Sequence, residues 1–254
     1  MSNETPTFLE GKANYFTEFG GIDNNIIFSD DDEIRGLYLW KVFDRMMQGN
    51  PRQRAFVLDM TGYLSAKIQD VYAPKTNVEM ILLKRPFSPD FLNTLKETMA
   101  ITPITVLRID PASLNQRRFA DQLLLESRMA LFEHSAGTSC ATFVDNLDAF
   151  SSELCKSILE NFQLPERKPW FLGASDIYHL FAKSPHPLSS RRNYSLAFTS
   201  TSLSRENYEL LFGKKAIYLW ENAQNGLRAG EFLLLRPMKV FNQLVYPDII
   251  KYRL

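Results

Sequence analysis

Apolar runs of five or six residues alternate along this chain with longer segments whose apolar residues recur every three or four positions. The runs predict strands that are apolar on both faces, and the longer segments predict helices. Such an alternation is typical of a mainly parallel sheet with helices on both faces. The predicted strands are 24–28, 55–59, 78–83, 104–109, 140–144, 170–173, 194–199, 216–220 and 231–235.

The predicted helices connect these strands, and several have recognisable ends. Gly49, Asn50 and Pro51 end the first helix, and Ser88 is a candidate N-cap for the helix that follows the third strand. No repeat or long linker divides the chain, so we predict a single α/β domain over 1–254, with an irregular lead-in over 1–20 and an extended tail over 236–254. The predicted helices are 34–47, 63–71, 89–99, 115–133, 147–158 and 205–212.

The connection between the first strand and the first helix is where we expect a functional site. Turns of this kind hold phosphates in α/β proteins, because the first N–H groups of the helix are unpaired and the helix dipole favours an anion there. This chain instead has four consecutive acidic residues at that point, within the sequence NIIFSDDDEIRG. The segment therefore has the architecture of a nucleotide site and the wrong charge. The four residues are Asp30, Asp31, Asp32 and Glu33.

Further polar residues follow other predicted strands. Ligands of parallel sheets bind beyond the carboxyl ends of the strands, so these residues are expected to share one edge of the sheet. Most of them are acidic, and we predict a strongly acidic edge. They are Asp59, Asp110, Asp145 with Asn146, and Ser175 with Asp176.

Composition excludes several classes of function. Lys plus Arg equals Asp plus Glu, at 29 each, so no global basic field favours nucleic acid. Cys140 and Cys155 fall in an apolar strand and an amphipathic helix, which suits buried thiols in a reducing cytoplasm. Three scattered histidines do not form a metal-site pattern. Without a secretion signal or an apolar run of about 20 residues, we predict a cytoplasmic protein that a partner could recruit to the inner membrane.

The order of these segments resembles the nucleotide-binding domain of the VirD4/TraD/TraG family, the coupling ATPases of type IV secretion and conjugation. The resemblance implies a RecA-like, P-loop NTPase-like fold in three layers. It covers most of the chain in pattern, although no single motif is intact. The segments that carry it are 25–47, 57–64 (VLDMTGYL), 142–149 (TFVDNLDA) and 227–235 (LRAGEFLLL).

The departures from that family concern its chemistry. A working phosphate loop needs glycines, a Lys for the phosphates and a Ser or Thr hydroxyl for Mg²⁺, and SDDDEIRG does not supply that geometry. Arg35 alone cannot replace both the lysine and the backbone cradle. Asn146 stands where the family has its catalytic Glu, and an amide cannot accept a proton from an attacking water. We therefore predict a pseudo-ATPase with no catalytic residue, cofactor or metal, and a vestigial nucleotide site of Ser29, Asp30, Asp31, Asp32, Glu33, Arg35, Asp59, Asp145 and Asn146.

A physical hypothesis accounts for the replacement: one or two of Asp30, Asp31 and Asp32 cap the first helix and occupy the position that a phosphate would fill. The resemblance further implies a scaffold or adaptor subunit of a type IV secretion or coupling complex, acting through contacts with other protein subunits. Neither nucleic acid nor the membrane is an expected direct partner. Arg191 and Arg192, in a Pro/Ser-rich loop, are a candidate docking point for an acidic partner, and a solvated connection is the alternative.

Other interpretations of the same residues remain open. Acids are common at helix N-termini, so Asp30–Glu33 could be simple helix charging, and a divalent metal site is a further alternative. The runner-up function is a receiver-like or divergent NTP-binding signalling protein, in which Asp59 in VLDM would be the phosphorylated residue. Receivers have a further strand and helix between such acids, whereas one helix separates Asp31 from Asp59 here.

Overall fold

The fold is described from a computed structural model, and three helices and nine strands lie within the residues that it describes. The helices are α1 (Asp32–Gly49), α2 (Tyr63–Tyr72) and α3 (Phe91–Ile101). The strands are β1 (Asn24–Phe28), β2 (Arg54–Asp59), β3 (Val78–Leu83), β4 (Ile104–Ile109), β5 (Cys140–Val144), β6 (Trp170–Ala174), β7 (Tyr194–Thr199), β8 (Glu231–Val240) and β9 (Gln243–Arg253). The described residues are 24–50, 52–83, 90–109, 140–147, 150, 155, 170–175, 194–199, 231–240 and 243–253.

These strands form one sheet in the order β3-β4-β2-β5-β6-β1-β7-β8-β9. The neighbours from β3 to β7 in this order pair in parallel, which confirms the predicted mainly parallel sheet. At one end of the sheet, β8 pairs antiparallel with both β7 and β9. The predicted extended tail forms the second half of β8 and all of β9, with Arg236 opposite Asp248. The hydrophobic pattern indicated extended backbone there but not its hydrogen-bonding partner.

Helices cover both faces of the sheet. The crossings from β1 to β2 and from β2 to β3 run in one direction along the strand order, and α1 and α2, which make them, pack against each other. The crossing from β3 to β4 runs back the other way. Because crossovers between parallel strands are right-handed, α3 lies on the opposite face. The predicted three-layer arrangement is confirmed.

The core between α1, α2 and the sheet is rich in aromatic side chains. The Phe143 ring lies 5.2 Å from Phe43 of α1 and 4.7 Å from Phe171 of β6, measured between ring centroids. Trp40 stacks on Phe43, and Trp170 is buried. Both tryptophans therefore have packing roles.

Several predicted boundaries shift. α1 begins two residues earlier than predicted, at Asp32. α3 begins at Phe91 with Asp90 in the N-cap position, so the prediction of Ser88 as its N-cap is wrong. Cys155 is buried and Cys140 is half-buried. None of the described helices is long and apolar enough to span a membrane. The predicted helices 115–133 and 205–212, the strand 216–220, and most of the predicted helix 147–158 lie outside the described residues.

Close packing of α1 on α2 depends on Gly36. A Cβ atom there would lie 2.6 Å from Cδ1 of Tyr63, whereas one at Gly49 would meet nothing within 4 Å. We expect Gly36→Ala to lower the free energy of unfolding by about 1–3 kcal/mol from overpacking, despite the higher helix propensity of alanine. Gly49→Ala, in the same helix, should be neutral or stabilising by up to about 1 kcal/mol. Urea denaturation of both variants is the measurement, and equal effects would contradict this packing.

Candidate vestigial nucleotide site

The connection from β1 to α1 is short. Three residues, Ser29, Asp30 and Asp31, separate Phe28 from Asp32. The first of them continues the sheet, because the Ser29 N–H donates to the carbonyl oxygen of Ala174 at 3.0 Å. A phosphate loop instead has a longer glycine-rich turn whose backbone N–H groups surround the phosphates. The backbone here has no such turn.

Asp31 caps α1 with its side chain. Its Oδ1 accepts hydrogen bonds from the backbone N–H groups of Glu33 at 2.9 Å and Ile34 at 3.1 Å. The Asp31 N–H in turn donates to the Ser29 hydroxyl oxygen at 3.2 Å. The capping part of the hypothesis is confirmed for Asp31. A carboxylate of the chain itself is therefore bound to the N–H groups that a phosphate would otherwise use.

Removing this cap should have a measurable effect. We expect Asp31→Ala to lower the free energy of unfolding by about 0.5–2 kcal/mol, because two N–H groups of the first turn lose their acceptor. Asp30→Ala is the matched control, an adjacent exposed aspartate, and should stay within about 0.5 kcal/mol of the wild type. Thermal and urea unfolding of both variants measure this, and a larger loss for Asp30→Ala would count against the cap.

Arg35 is fully buried and makes three hydrogen bonds. Its Nε–H donates to Oδ1 of Asp145 at 2.7 Å, its Nη1 to the Ser29 carbonyl at 2.9 Å, and its Nη2 to Oδ1 of Asp32 at 2.5 Å. Burial on its own lowers the pKa of Arg35, but the carboxylates of Asp145 and Asp32 outweigh it and raise that pKa above its ordinary value. The guanidinium is charged and directed inward, so it does not face a ligand.

Asp145 follows β5 and is also fully buried. Its second oxygen, Oδ2, accepts from the Thr61 hydroxyl at 2.6 Å. Burial raises the pKa of the Asp145 carboxyl, against the opposing effects of Arg35 and Thr61. A raised Arg35 pKa favours the ionised pair, whereas a raised Asp145 pKa favours a protonated carboxyl. We take the pair as ionised, because a guanidinium does not lose its proton in proteins and 2.7 Å is the length of a charge-assisted bond.

The Arg35 side chain reaches Asp145 by crossing β6, the strand between β1 and β5, at Gly173. A Cβ atom at Gly173 would lie 2.9 Å from Cγ and Cδ of Arg35 and 3.0 Å from Oδ1 of Asp145. A side chain at this position would displace the ion pair. Gly173 is thus a residue of the site that was not predicted from the sequence, where it was only the last residue of a predicted strand.

Asp59 occupies the start of α2 as Asp31 occupies the start of α1. Its Oδ1 accepts from the N–H groups of Thr61 at 3.1 Å and Gly62 at 2.9 Å, and its Oδ2 accepts from the Ser65 N–H at 2.7 Å. The Asp59 side chain is 0% exposed. Gly62 has φ +84°, a conformation that favours glycine. The carboxylate organises this turn and does not face outward.

Thr61 joins the two buried aspartates and was also missed by sequence reasoning. Its Oγ1 lies 2.6 Å from Oδ2 of Asp145 and 3.3 Å from Oδ1 of Asp59. A hydroxyl has one proton to donate, and the shorter distance assigns it to Asp145. The TG pair after a strand was visible as a turn, but only the fold brings Asp145, 84 residues further along the chain, to that hydroxyl.

Asn146 has a backbone reason for its identity. Its φ is +59°, in the left-handed region that asparagine adopts more readily than most residues. The sequence interpretation considered only its side chain, as a missing general base. A glutamate at this position would have to adopt the same left-handed backbone.

The structure brings together only some of the residues predicted for the site. Arg35 is in direct contact with Ser29, Asp32 and Asp145. Thr61 links Asp145 to Asp59. Asp59 and Asp145 lie at the carboxyl ends of β2 and β5, as predicted, but both are buried with their oxygens bonded inside the fold, so they do not form an exposed acidic edge. The exposed acids of the described residues at this point are Asp30, Asp31, Asp32 and Glu33, while Asp110, Asp176, Arg191 and Arg192 lie outside the described residues.

No protein-family model matches the chain, and no curated protein sequence is significantly similar to it. Similar solved structures include the genome packaging NTPase B204 from Sulfolobus turreted icosahedral virus 2. Its complex with AMPPCP has a TM-score of 0.52 at 10% identity, over 91% of this chain and 97% of that chain. Its complex with sulfate has a TM-score of 0.51 at 11% identity with the same coverage. Its complex with AMP has a TM-score of 0.50 at 9% identity, over 84% and 92%.

Identities this low show the fold and not the activity. The neighbour is an NTPase, and its similarity to this chain extends over nearly the whole of both chains. The sheet order, the helices on both faces and this similarity agree with one another. The chain has an α/β fold of the P-loop NTPase type.

Proposed function

We propose that this protein is a pseudo-ATPase, a P-loop NTPase fold without nucleotide chemistry that acts by binding other proteins. One observation carries the proposal: the N–H groups at the start of α1 are bound to the Asp31 carboxylate. Arg35, the single cation of residues 29–36, is buried and donates hydrogen bonds to Asp145, Asp32 and the Ser29 carbonyl.

Electrostatics supports this proposal quantitatively. A helix N-terminus stabilises an anion by about 0.3–1 kcal/mol. Two unit charges 4 Å apart repel by about 1 kcal/mol in water and about 4 kcal/mol near a protein surface. A triphosphate at the start of α1 would meet the exposed Asp31, Asp32 and Glu33 together. The repulsion therefore exceeds the attraction of the helix.

Calorimetric titration with MgATP tests the loss of binding. We expect no saturable heat at concentrations up to about 1 mM, which corresponds to less than about 4 kcal/mol of binding free energy. A coupled ATPase assay should stay at background. Micromolar binding that disappears in Asp31→Asn would overturn the proposal, since Asp31 would then be a ligand-binding residue and not a substitute for the ligand.

The finer proposal is a scaffold or adaptor subunit of a type IV secretion or coupling complex. It is supported by the segment order shared with the VirD4/TraD/TraG family, and the packaging NTPase shows that the same fold also serves genome packaging in another protein. Chemical crosslinking in the native host, followed by purification and mass spectrometry, tests it. We expect crosslinks to subunits of a secretion apparatus. Recovery of the protein alone, or with nucleic acid only, would contradict it.

The runner-up, a receiver-like protein phosphorylated on Asp59, requires an accessible carboxylate. Asp59 is 0% exposed and both its oxygens accept backbone hydrogen bonds. These bonds count against phosphorylation at this residue. Incubation with acetyl phosphate, followed by mass spectrometry, should yield no phosphoaspartate there, and a labelled Asp59 would favour the receiver interpretation.

A further inference from the structure

We infer that Arg35, Asp145, Thr61 and Asp59 form a static latch, called the carboxyl-edge latch below, which holds the loops after β1, β2 and β5 in one conformation. The inference rests on the proposed function, because it assigns to side chains of the protein the role that a bound nucleotide would have in an active relative, that of holding these loops together. It concerns the conformation of the edge that a partner would meet.

The first part of the latch ties α1 to the end of β1. Arg35 is in the first turn of α1, and its Nη1 donates to the carbonyl of Ser29, directly after β1. Its Nη2 bonds to Asp32, whose side chain is 64% exposed. One guanidinium thus connects the strand end, the helix start and the exposed acidic surface.

The second part ties this unit to β5. The Arg35–Asp145 contact joins side chains that are both 0% exposed. Removing one member of such a pair leaves a buried charge without its partner, so the pair cannot open at low cost. Gly173 leaves room for the crossing, with Arg35 carbons 2.9 Å from where its Cβ would be. The close fit leaves little space for a second arrangement of the Arg35 side chain.

The third part ties β5 to the turn between β2 and α2. Asp145 accepts from the Thr61 hydroxyl, and its own N–H donates to the Leu58 carbonyl at 2.9 Å. Asp59 holds the same turn through three backbone N–H groups. The three loops are thus linked in series by side-chain contacts.

Hydrogen exchange of the full chain, followed by mass spectrometry, tests the latch. We expect Arg35→Met and Asp145→Asn to accelerate exchange in 29–36 and 60–66 by about 100-fold or more, because a broken buried ion pair opens its surroundings locally. Exchange in β3, at the end of the strand order, should be accelerated much less than in these two segments. Arg45→Met, an exposed arginine of the same helix, is the matched control and should change neither segment.

The result that overturns the latch is wild-type exchange in both segments of the variants, or an equal acceleration along the whole chain. If Arg35→Met and Asp145→Asn do not fold, Thr61→Val decides, because it keeps the shape of the side chain and removes the hydroxyl that donates to Asp145 and accepts from the Tyr63 N–H. It should accelerate 60–66, and no acceleration there would overturn the latch. MgATP should leave the wild type unchanged. Protection by MgATP would contradict the pseudo-ATPase, and the variants would still decide the latch.

Discussion

Replacing Arg35 with methionine is expected to lower the free energy of unfolding by about 3–5 kcal/mol. The substitution keeps much of the apolar stem of the side chain but leaves the Asp145 carboxylate buried without its counter-charge. Removing one member of a buried ion pair is strongly destabilising for this reason. It also removes the donor to the Ser29 carbonyl. Urea denaturation followed by far-UV circular dichroism is the measurement.

Two further variants separate charge from packing. Arg45→Met, on the exposed face of α1, should stay within about 0.5 kcal/mol of the wild type. The double variant Arg35→Met with Asp145→Leu should regain part of the loss, since replacing both members of a buried pair with apolar residues is often neutral. A double variant no more stable than the single one would show that lost packing, and not the unpaired charge, explains the effect.

The pH dependence of the Arg35→Met variant follows from the direction of the Asp145 shift. Burial already raises the pKa of that carboxyl in the wild type, and loss of Arg35 removes an opposing influence. A carboxyl with a folded pKa above its unfolded value of about 3.9 binds protons more tightly when folded. Its contribution to stability is therefore full below about pH 4 and is lost as the pH rises through the raised pKa. The deficit relative to wild type should shrink towards acid pH, and a deficit that is constant from pH 4 to 7 would contradict this.

Asp59→Ala is the second substitution with a large expected effect. Three backbone N–H groups lose their acceptor, that of Ser65 in a buried position and those of Thr61 and Gly62 in half-buried ones. An unsatisfied buried donor costs about 1–3 kcal/mol, and relaxation of the turn makes the three losses less than additive. We expect a total loss of more than about 3 kcal/mol in the free energy of unfolding, measured by urea denaturation.

Asp59→Asn and Asp70→Ala are the controls for that prediction. Asparagine keeps one carbonyl oxygen and should retain part of the stability. Asp70 is an exposed aspartate of α2, and its replacement should stay within about 0.5 kcal/mol of the wild type. If Asp59→Ala were no more destabilising than Asp70→Ala, the Asp59 carboxylate would not be what holds the start of α2.

Strands and helices at the start of the chain were predictable because burial on both faces leaves a local mark. The predicted bounds are confirmed for β1, β3, β4 and β5. A short apolar run between turn residues is typical of a strand buried on both faces. The paired strands at the end were not predictable as such. An extended segment in a sequence does not show whether it pairs with a neighbour or in which direction.

The candidate site divides in the same way. Asp31 as a cap was accessible from the sequence, because capping involves residues two and three positions apart. The contact between Arg35 and Asp145 joins residues 110 positions apart, and that between Thr61 and Asp145 joins residues 84 apart. No local pattern marks such pairs, and a Gly in a strand does not reveal which side chain crosses it.

The amino-acid sequence by itself determined the alternation of strands and helices, the run of acidic residues after β1 and the cap of α1, because each depends on neighbours within a few residues. The tertiary structure decided that Arg35 points inward, that Asp59 and Asp145 are buried and not presented to a ligand, and that Gly173 and Thr61 belong to the site. The physical reason is that a charge placed in the sequence can face water or a distant partner, and only the order of strands in the sheet determines which.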